Sequence, residues 1–320
     1  MSERNFIEPG DDFIDEGADV GDDARSSLAS LTSSIMKGVE ENGRTYAVYG
    51  QEEYGMPMDQ VEMDRIDMAH AKYFMLLEKK RFLAPIDTDV QKVLDLGTGT
   101  DQEFGVLILL MLIHPLRAPP NCQFQVDDIT QPWTWKKDTF DYVFARDLLF
   151  SVRNWPDLIS QCYDHIKPGG WVEFQSIHGV LGCDDDTLPP GSKFREYDKH
   201  IRAAAVAFGT PLEDPASFKK WLDEAGFEAV VEKKYKIPSN PWPKDPRLKL
   251  IGAFEQENFM TGLEGMSLRT LDKLGWSLED SKLFLGEVKK EIKNRRKHPY
   301  YPFYVVYGRK PKQENKKYSP

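Results

Sequence analysis

The run VQKVLDLGTGT, from Val90 to Thr100, ends an apolar stretch on Asp95, Gly97 and Gly99. Glycines without a Cβ let the main chain come against a ligand, and such a turn after a buried strand is where α/β folds grip nucleotide-type cofactors. Asp127 and Asp128, followed by Ile129, close a second strand-like run, CQFQVDDI. A third, FDYVFARDLL, carries Arg146 and Asp147 at its end. His70 and His178 are the candidate bases, since imidazole titrates near neutrality. Lone histidines are more often structural, and the neighbouring methionines 56, 58, 63 and 68 read as core filler. The three cysteines, Cys122, Cys162 and Cys183, contain no CxxC pair, so the sequence suggests neither a disulfide framework nor a metal site.

The elements that must position these residues follow from pattern. Met63, Ile66, Ala69, Tyr73 and Leu77 share one face of a helix from about Met58 to Lys80, with Asp59 as its cap. Leu28, Leu31, Ile35 and Val39 also have helical spacing. After the third strand Asn154 caps a helix through WPDLISQCYDHI, KPGG ends it, and WVEFQSI is the next strand. Helices are expected at Ser192 to Phe208, Ser217 to Ala225 and from about Leu248 to Arg296, with a strand at FEAVVEKKYKI and a last one at YYPFYVVYGRKP. Strands alternating with helices imply a largely parallel sheet covered on both faces, with the ligand outside the strands' carboxyl ends.

Totals narrow the function. The 320 residues carry a net charge of -10, which argues against a direct nucleic-acid binder. The longest wholly apolar run, Val106 to Ile113, is under half a membrane span. Residues 1–24 are rich in Asp, Glu and Gly and read as a disordered acidic tail; residues 312–320 read as a flexible tail. The basic run Lys289 to Lys297 reads as a solvated helix face, with nuclear localisation as the other reading. The expected location is cytoplasmic or nuclear.

The order of acid, glycine turn, acidic turn, FD-x-V strand and KPGGW strand resembles class I S-adenosylmethionine-dependent methyltransferases. ENGRTYAVY, EYGMPMDQVEMDRIDMAHAKYFMLL, NPWPKDPRLKLIG and NRRKHPYYPFYVVYGRKP narrow the resemblance to fungal methyltransferases related to LaeA-type regulators of secondary metabolism. The resemblance implies a Rossmann-like seven-stranded sheet with helices on both faces, an antiparallel final strand and an N-terminal helical cover at 25–90. The methyltransferase domain would span 91–311, with helical insertions at about 183–216 and 245–296. It further implies Asp95, Gly97 and Gly99 at the cofactor turn, Asp127, Asp128 and Ile129 around the adenine, Tyr46 and Tyr49 over the cofactor, and Arg146 near the transferred methyl. S-adenosylmethionine would be the cofactor, a natural-product small molecule the acceptor, and another protein a partner if the chain acts as a regulator. A dinucleotide oxidoreductase shares the glycine turn, but KPGGW and the terminal strand favour the methyltransferase.

Between Thr100 and Pro119 the resemblance stops. Asp101 takes the third glycine position, and no carboxylate lies between Glu103 and Asp127 to hold the ribose hydroxyls. Hydrogen bonds to a charged acceptor contribute about 1.5–3 kcal/mol each, so losing two weakens binding by roughly two decades or more. The interval is also short for a helix, a strand and two connections, so region 101–119 lacks a normal element. A helix from about Asp101 to Pro115 is the preferred reading of Val106 to Ile113. Divergence or a misjoined exon accounts for the break, and its abruptness favours the exon.

Overall fold

The computed structural model describes residues 39–46, 56–97, 107–109, 124–126 and 128–312, with 107–109 and 124–126 as backbone only. The acidic tail, the pattern beginning at Leu28, Tyr49, Gly99, Asp127 and the residues from 313 lie outside them. Val39, expected to close a helix, instead opens a hairpin of β1 (Val39–Glu41) and β2 (Arg44–Tyr46). Asn42 and Gly43 turn it with φ of 52° and 76°. Two successive left-handed residues are what a tight hairpin demands.

Helix α1 (Gln60–Leu76) starts where Asp59 accepts a hydrogen bond from the Glu62 amide. Ala69, Tyr73 and Leu77 of its expected face are buried. Three strands, β3 (Val93–Leu96), β4 (Leu107–Leu109) and β5 (Phe124–Val126), precede β6 (Phe140–Arg146). Helix α2 (Trp155–His165) has Asn154 as cap and Pro156 in its first turn, where a missing N–H costs nothing. The chain passes from α2 straight into β7 (Ile166–Ile177), so KPGG lies within the strand's span and is absorbed by a bulge in the β6 pairing. Then follow α3 (Lys193–Ala207), α4 (Phe218–Glu224), β8 (Glu228–Pro238), α5 (Pro246–Lys273), α6 (Leu278–Ile292) and β9 (Tyr300–Arg309).

The main sheet has the order β5-β4-β3-β6-β7-β9-β8. Pairings β3–β6 and β6–β7 are parallel, and β9 lies antiparallel between β7 and β8, as expected of the final strand. The other edge differs from expectation. Leu107–Leu109 is a strand rather than a helix, and it runs antiparallel to β3, with Asp95 opposite Leu109 and Leu96 opposite Ile108. A parallel neighbour needs a crossover of a dozen or more residues, and only residues 97–106 separate Leu96 from Leu107. The short connection therefore turns the chain back. Strand β5 reverses again, antiparallel to β4, so the sheet is mixed rather than largely parallel.

Helices cover both faces. On one, Leu94, Leu96, Val143, Val172 and Phe174 pack with Leu158, Ile159 and Cys162 of α2 and Phe218 of α4. On the other, Tyr142, Phe303 and Val305 meet Tyr73 and Leu76 of α1 and Ile251 of α5. The helical insertions join in a third cluster, with Phe194 of α3, Leu263 and Leu271 of α5 and Val288 of α6. Within the basic run from Lys289, Lys289 pairs with Glu264, Lys290 with Glu287 and Lys297 with Glu291, each at 2.6 Å. No described helix is long and apolar enough to cross a membrane.

Candidate functional site

The sheet brings Asp95, Gly97, Arg146, Asp147 and His70 to the carboxyl ends of β3 and β6. Asp95 is 8% exposed, so its charge acts at short range on its neighbours. Gly97 has φ +72°, and a Cβ there would collide with Leu148 Cδ2. The left-handed backbone favours glycine, and a Cβ would also require the Leu148 side chain to shift.

Arg146 ends β6 and is fixed from three directions. Its Nε donates to Gln175 Oε1 at 2.8 Å, and Nη2 donates to the Arg81 carbonyl at 2.6 Å. Nη1 lies 3.4 Å from His70 Nδ1. An arginine only donates, so Nδ1 accepts and the imidazole proton resides on Nε2. Burial, then the Arg146 charge, lowers His70 to about 4, keeping the ring neutral at pH 7. Burial also disfavours the Arg146 charge, and Asp95 opposes that effect.

Asp147 has φ +50°. That conformation is costly for a residue with a Cβ. Its Oδ1 accepts from the Ile177 amide at 2.9 Å, its amide donates to Gln175 O at 2.8 Å, and Oδ2 accepts from the Tyr73 hydroxyl. Burial, then Asp147, raises Tyr73 well above the ordinary tyrosine range, so it remains a donor. The Tyr73 ring stacks on Phe303 at 4.6 Å. Sequence reading placed Tyr73 on an apolar helix face and did not separate it from its neighbours. The signal was its spacing of three from His70, which puts both on the side of α1 that faces β6.

The other sequence-predicted residues lie apart. Tyr46 is wholly buried under α5: its hydroxyl donates to Gly265 O at 3.1 Å and the Arg269 guanidinium covers its ring at 4.0 Å. Asp128 Oδ1 accepts from the amide and hydroxyl of Thr130, closing its own turn. Ile129 is a core residue whose carbonyl accepts from Trp133 Nε1 at 3.0 Å. His178 follows β7, with its ring 5.4 Å from Tyr304; burial lowers its pKa, and its enclosed Nδ1 has no partner among the described residues.

A shallow recess lies between the segments after β6 and β7 and the 210–215 turn, with room for about one water molecule. Leu148, Trp155, Ser176, Thr210, Leu212 and Asp214 contribute to its lining. Nearby, Gly179 N donates to Leu212 O at 2.8 Å, and Arg153 Nε donates to Phe208 O at 2.9 Å. Neither His70 nor His178 is among the lining residues.

A sequence model described as "Methyltransferase domain" matches residues 68–232, a span that includes β3, β6, β7 and every residue of this cluster. The chain belongs to the methyltransferase-domain family. Among its relatives is "Methyltransferase pytC" of Aspergillus terreus, 35% identical over 302 residues, covering 90% of this chain and 93% of that one. "Secondary metabolism regulator LAE1" of Cochliobolus heterostrophus is 32% identical, covering 85% of this chain and 95% of that one. A solved structure of Haemonchus contortus phosphoethanolamine N-methyltransferase 2 with S-adenosyl-L-methionine is 19% identical, covers 58% of this chain and 36% of that one, and has a TM-score of 0.34. That likeness is too slight to bear on the chemistry.

The residues of this chain fit one end of S-adenosylmethionine. At Gly97 the main chain carries no Cβ, although the Leu148 side chain lies over the space one would fill, and three contacts of Arg146 leave two of its five N–H groups for a carboxylate. The ribose end is different. A parallel β4 would end beside Gly97, but the antiparallel one points its carboxyl end toward the opposite edge, and no Asp or Glu occurs between Glu103 and Asp127. The second reversal restores the direction at β5, so the Asp127–Asp128 turn follows a strand that again runs toward the Gly97 end.

Proposed function

We propose that this chain is an S-adenosylmethionine-dependent methyltransferase of fungal secondary metabolism that modifies a small natural product. The observation that carries the reading is the joining of a glycine turn and a half-buried arginine at the carboxyl ends of β3 and β6. Relatives named as methyltransferases and secondary-metabolism regulators support it.

In this reading Asp95, Gly97 and Gly99 form the turn under the methionine part, Arg146 holds its carboxylate, and Asp127, Asp128 and Ile129 border the adenine. Tyr46 and Tyr49 belong to the segment that covers the cofactor. The sulfonium supplies an electrophilic methyl group. The protein's part is alignment: holding donor and acceptor in line removes much of the entropic barrier. Tyr73 and the Ile177 amide fix Asp147, and Gln175 fixes Arg146, so the end of β6 is rigid before any ligand arrives. Of the histidines weighed as bases, His70 directs Nδ1 to Arg146 and His178 keeps Nδ1 enclosed.

A second reading, a regulator that acts by binding a protein partner, is favoured by the missing ribose acid and by relatives such as LAE1. Calorimetry decides between them. Heat of S-adenosylmethionine binding at submillimolar to millimolar concentration is expected, and none at millimolar would end the enzymatic reading.

A further inference from the structure

We propose that Glu173, a carboxylate with no solvent exposure in β7, aims Arg146 at the α-carboxylate of the methyl donor and so sets a preference for S-adenosylmethionine over donors that lack that group. The inference rests on the methyl-transfer reading. Register puts the groups together: Phe144 lies opposite Glu173 and Arg146 opposite Gln175, so Glu173, Gln175 and Arg146 share the side of the sheet that α1 covers.

Two of the three contacts that fix Arg146 trace back to this one side chain. The first is the Gln175 amide, whose Oε1 accepts from Arg146 Nε at 2.8 Å while its Nε2 donates to Glu173 Oε1 at 2.5 Å. An arginine only donates and a carboxylate accepts, so Glu173 settles which way the amide is turned. The second is the Arg81 carbonyl, which accepts from Arg146 Nη2 at 2.6 Å and from Gln175 Nε2 at 3.1 Å. The segment that carries this carbonyl is itself tied to Glu173. The Leu83 amide donates to Glu173 Oε2 at 2.8 Å and the Ala84 amide donates to the same oxygen at 2.6 Å. The direction of the two remaining Arg146 N–H groups therefore depends on a carboxylate that no ligand touches.

Among the described residues the partners of Glu173 are amides and the Tyr142 hydroxyl, at 3.3 Å, rather than a cation. Burial works against its charge, and the Gln175 and backbone amides work for it. Such a site fits a side chain that accepts with both oxygens. A neutral isostere carries an NH2 group in place of one of them. Turned toward Gln175, that group calls Oε1 of Gln175 to itself and leaves Nε2 facing Arg146 Nε, donor against donor. Turned toward Leu83 and Ala84, it takes the acceptor from two amides and releases the segment that holds Arg81 O. Arg146 loses one of its fixed partners in both cases.

The test is calorimetry on the full chain with S-adenosylmethionine and with its decarboxylated form, which keeps the sulfonium and the amine but lacks the carboxylate. The parent should prefer S-adenosylmethionine about tenfold or more, and Arg146→Met, which has no donor, sets the floor. Glu173→Gln should bring the preference to within about threefold of that floor. Gln175→Met, which leaves Glu173 its backbone partners, should do the same, and it decides the matter if Glu173→Gln fails to melt cooperatively. A carboxylate that served only to hold the chain would weaken both ligands alike on replacement. Equal weakening of the two, or the parent's preference retained in Gln175→Met, would overturn the proposal. A parent that binds both ligands equally defeats the aiming of Arg146 and leaves cofactor binding standing, whereas a parent that binds no S-adenosylmethionine defeats methyl transfer and the proposal together.

Discussion

The two flanks of β3 are built from the same strand by opposite rules. Toward β6 the neighbour is parallel, reached through a long excursion, and it delivers Arg146 and Asp147 to the same end as Gly97. Toward β4 the neighbour is antiparallel, because residues 97–106 are too few for a crossover. Direction decides chemistry. A parallel strand carries a side chain to the ligand end of the sheet, and a reversed strand carries it away whatever residue it is. The reversed β4 and the absence of any Asp or Glu between Glu103 and Asp127 fall in the same interval.

The most severe break lies on the intact flank, where α1 is locked to α5. Lys72 Nζ and Glu255 Oε2 are 2.5 Å apart with side chains each 1% exposed, and Asn258 adds a hydrogen bond to Glu255 at 3.2 Å. Lys72→Met leaves a buried carboxylate unpaired and should destabilise the fold by about 3–5 kcal/mol, whereas the double change Lys72→Met with Glu255→Leu should recover most of it. Denaturant melts of the three variants measure this; full additivity of the two single changes would mean the pair is not coupled. Next in size is repair of the other flank. Replacing residues 101–119 with a crossover long enough for a parallel strand ending in Glu should tighten S-adenosylmethionine binding about a hundredfold. An unchanged calorimetric Kd would detach the ribose carboxylate from the expected weakness. Gly97→Val tests the strand both flanks share. It drives a β-branched residue, held at φ +72°, into Leu148. A loss of about 2–3 kcal/mol in a thermal melt is expected.

Much of the intact flank was legible in sequence, because capping and period are local. Asp59, Asn154 and Ser192 each start the helix expected of them, and the final strand pairs antiparallel as the family resemblance implied. The β4 flank was not legible. Val106 to Ile113 is apolar throughout, so periodicity could not separate helix from strand, and only the length constraint, applied to direction, forbids a parallel crossover. The site was legible by half: Asp95, Gly97 and Arg146 carry local signals. Tyr73 and Gln175 act only through long-range placement, which no local pattern announces.

The mildest effect compares His70, beside Arg146 at the end of β6, with Asp214 on the 210–215 turn. His70 is lowered to about 4 from 6.5, so its contribution to stability is present above pH 6.5 and is lost as pH falls toward 4. Asp214 is raised to about 6 from 3.8, so its contribution is present below pH 3.8 and is lost as pH rises through 6. Across the same window the two slopes oppose each other and flatten the stability profile. Asp214→Asn removes the falling slope, so stability should rise more steeply from pH 4 to 6.5. Asp214 is partly exposed, and solvent screening reduces the gain at pH 7 to on the order of 1 kcal/mol. His70→Gln removes the rising slope, on the order of 2 kcal/mol, and should leave a protein whose melting temperature falls over that window. Parallel profiles for the parent and both variants would show that neither group titrates differently in the folded chain.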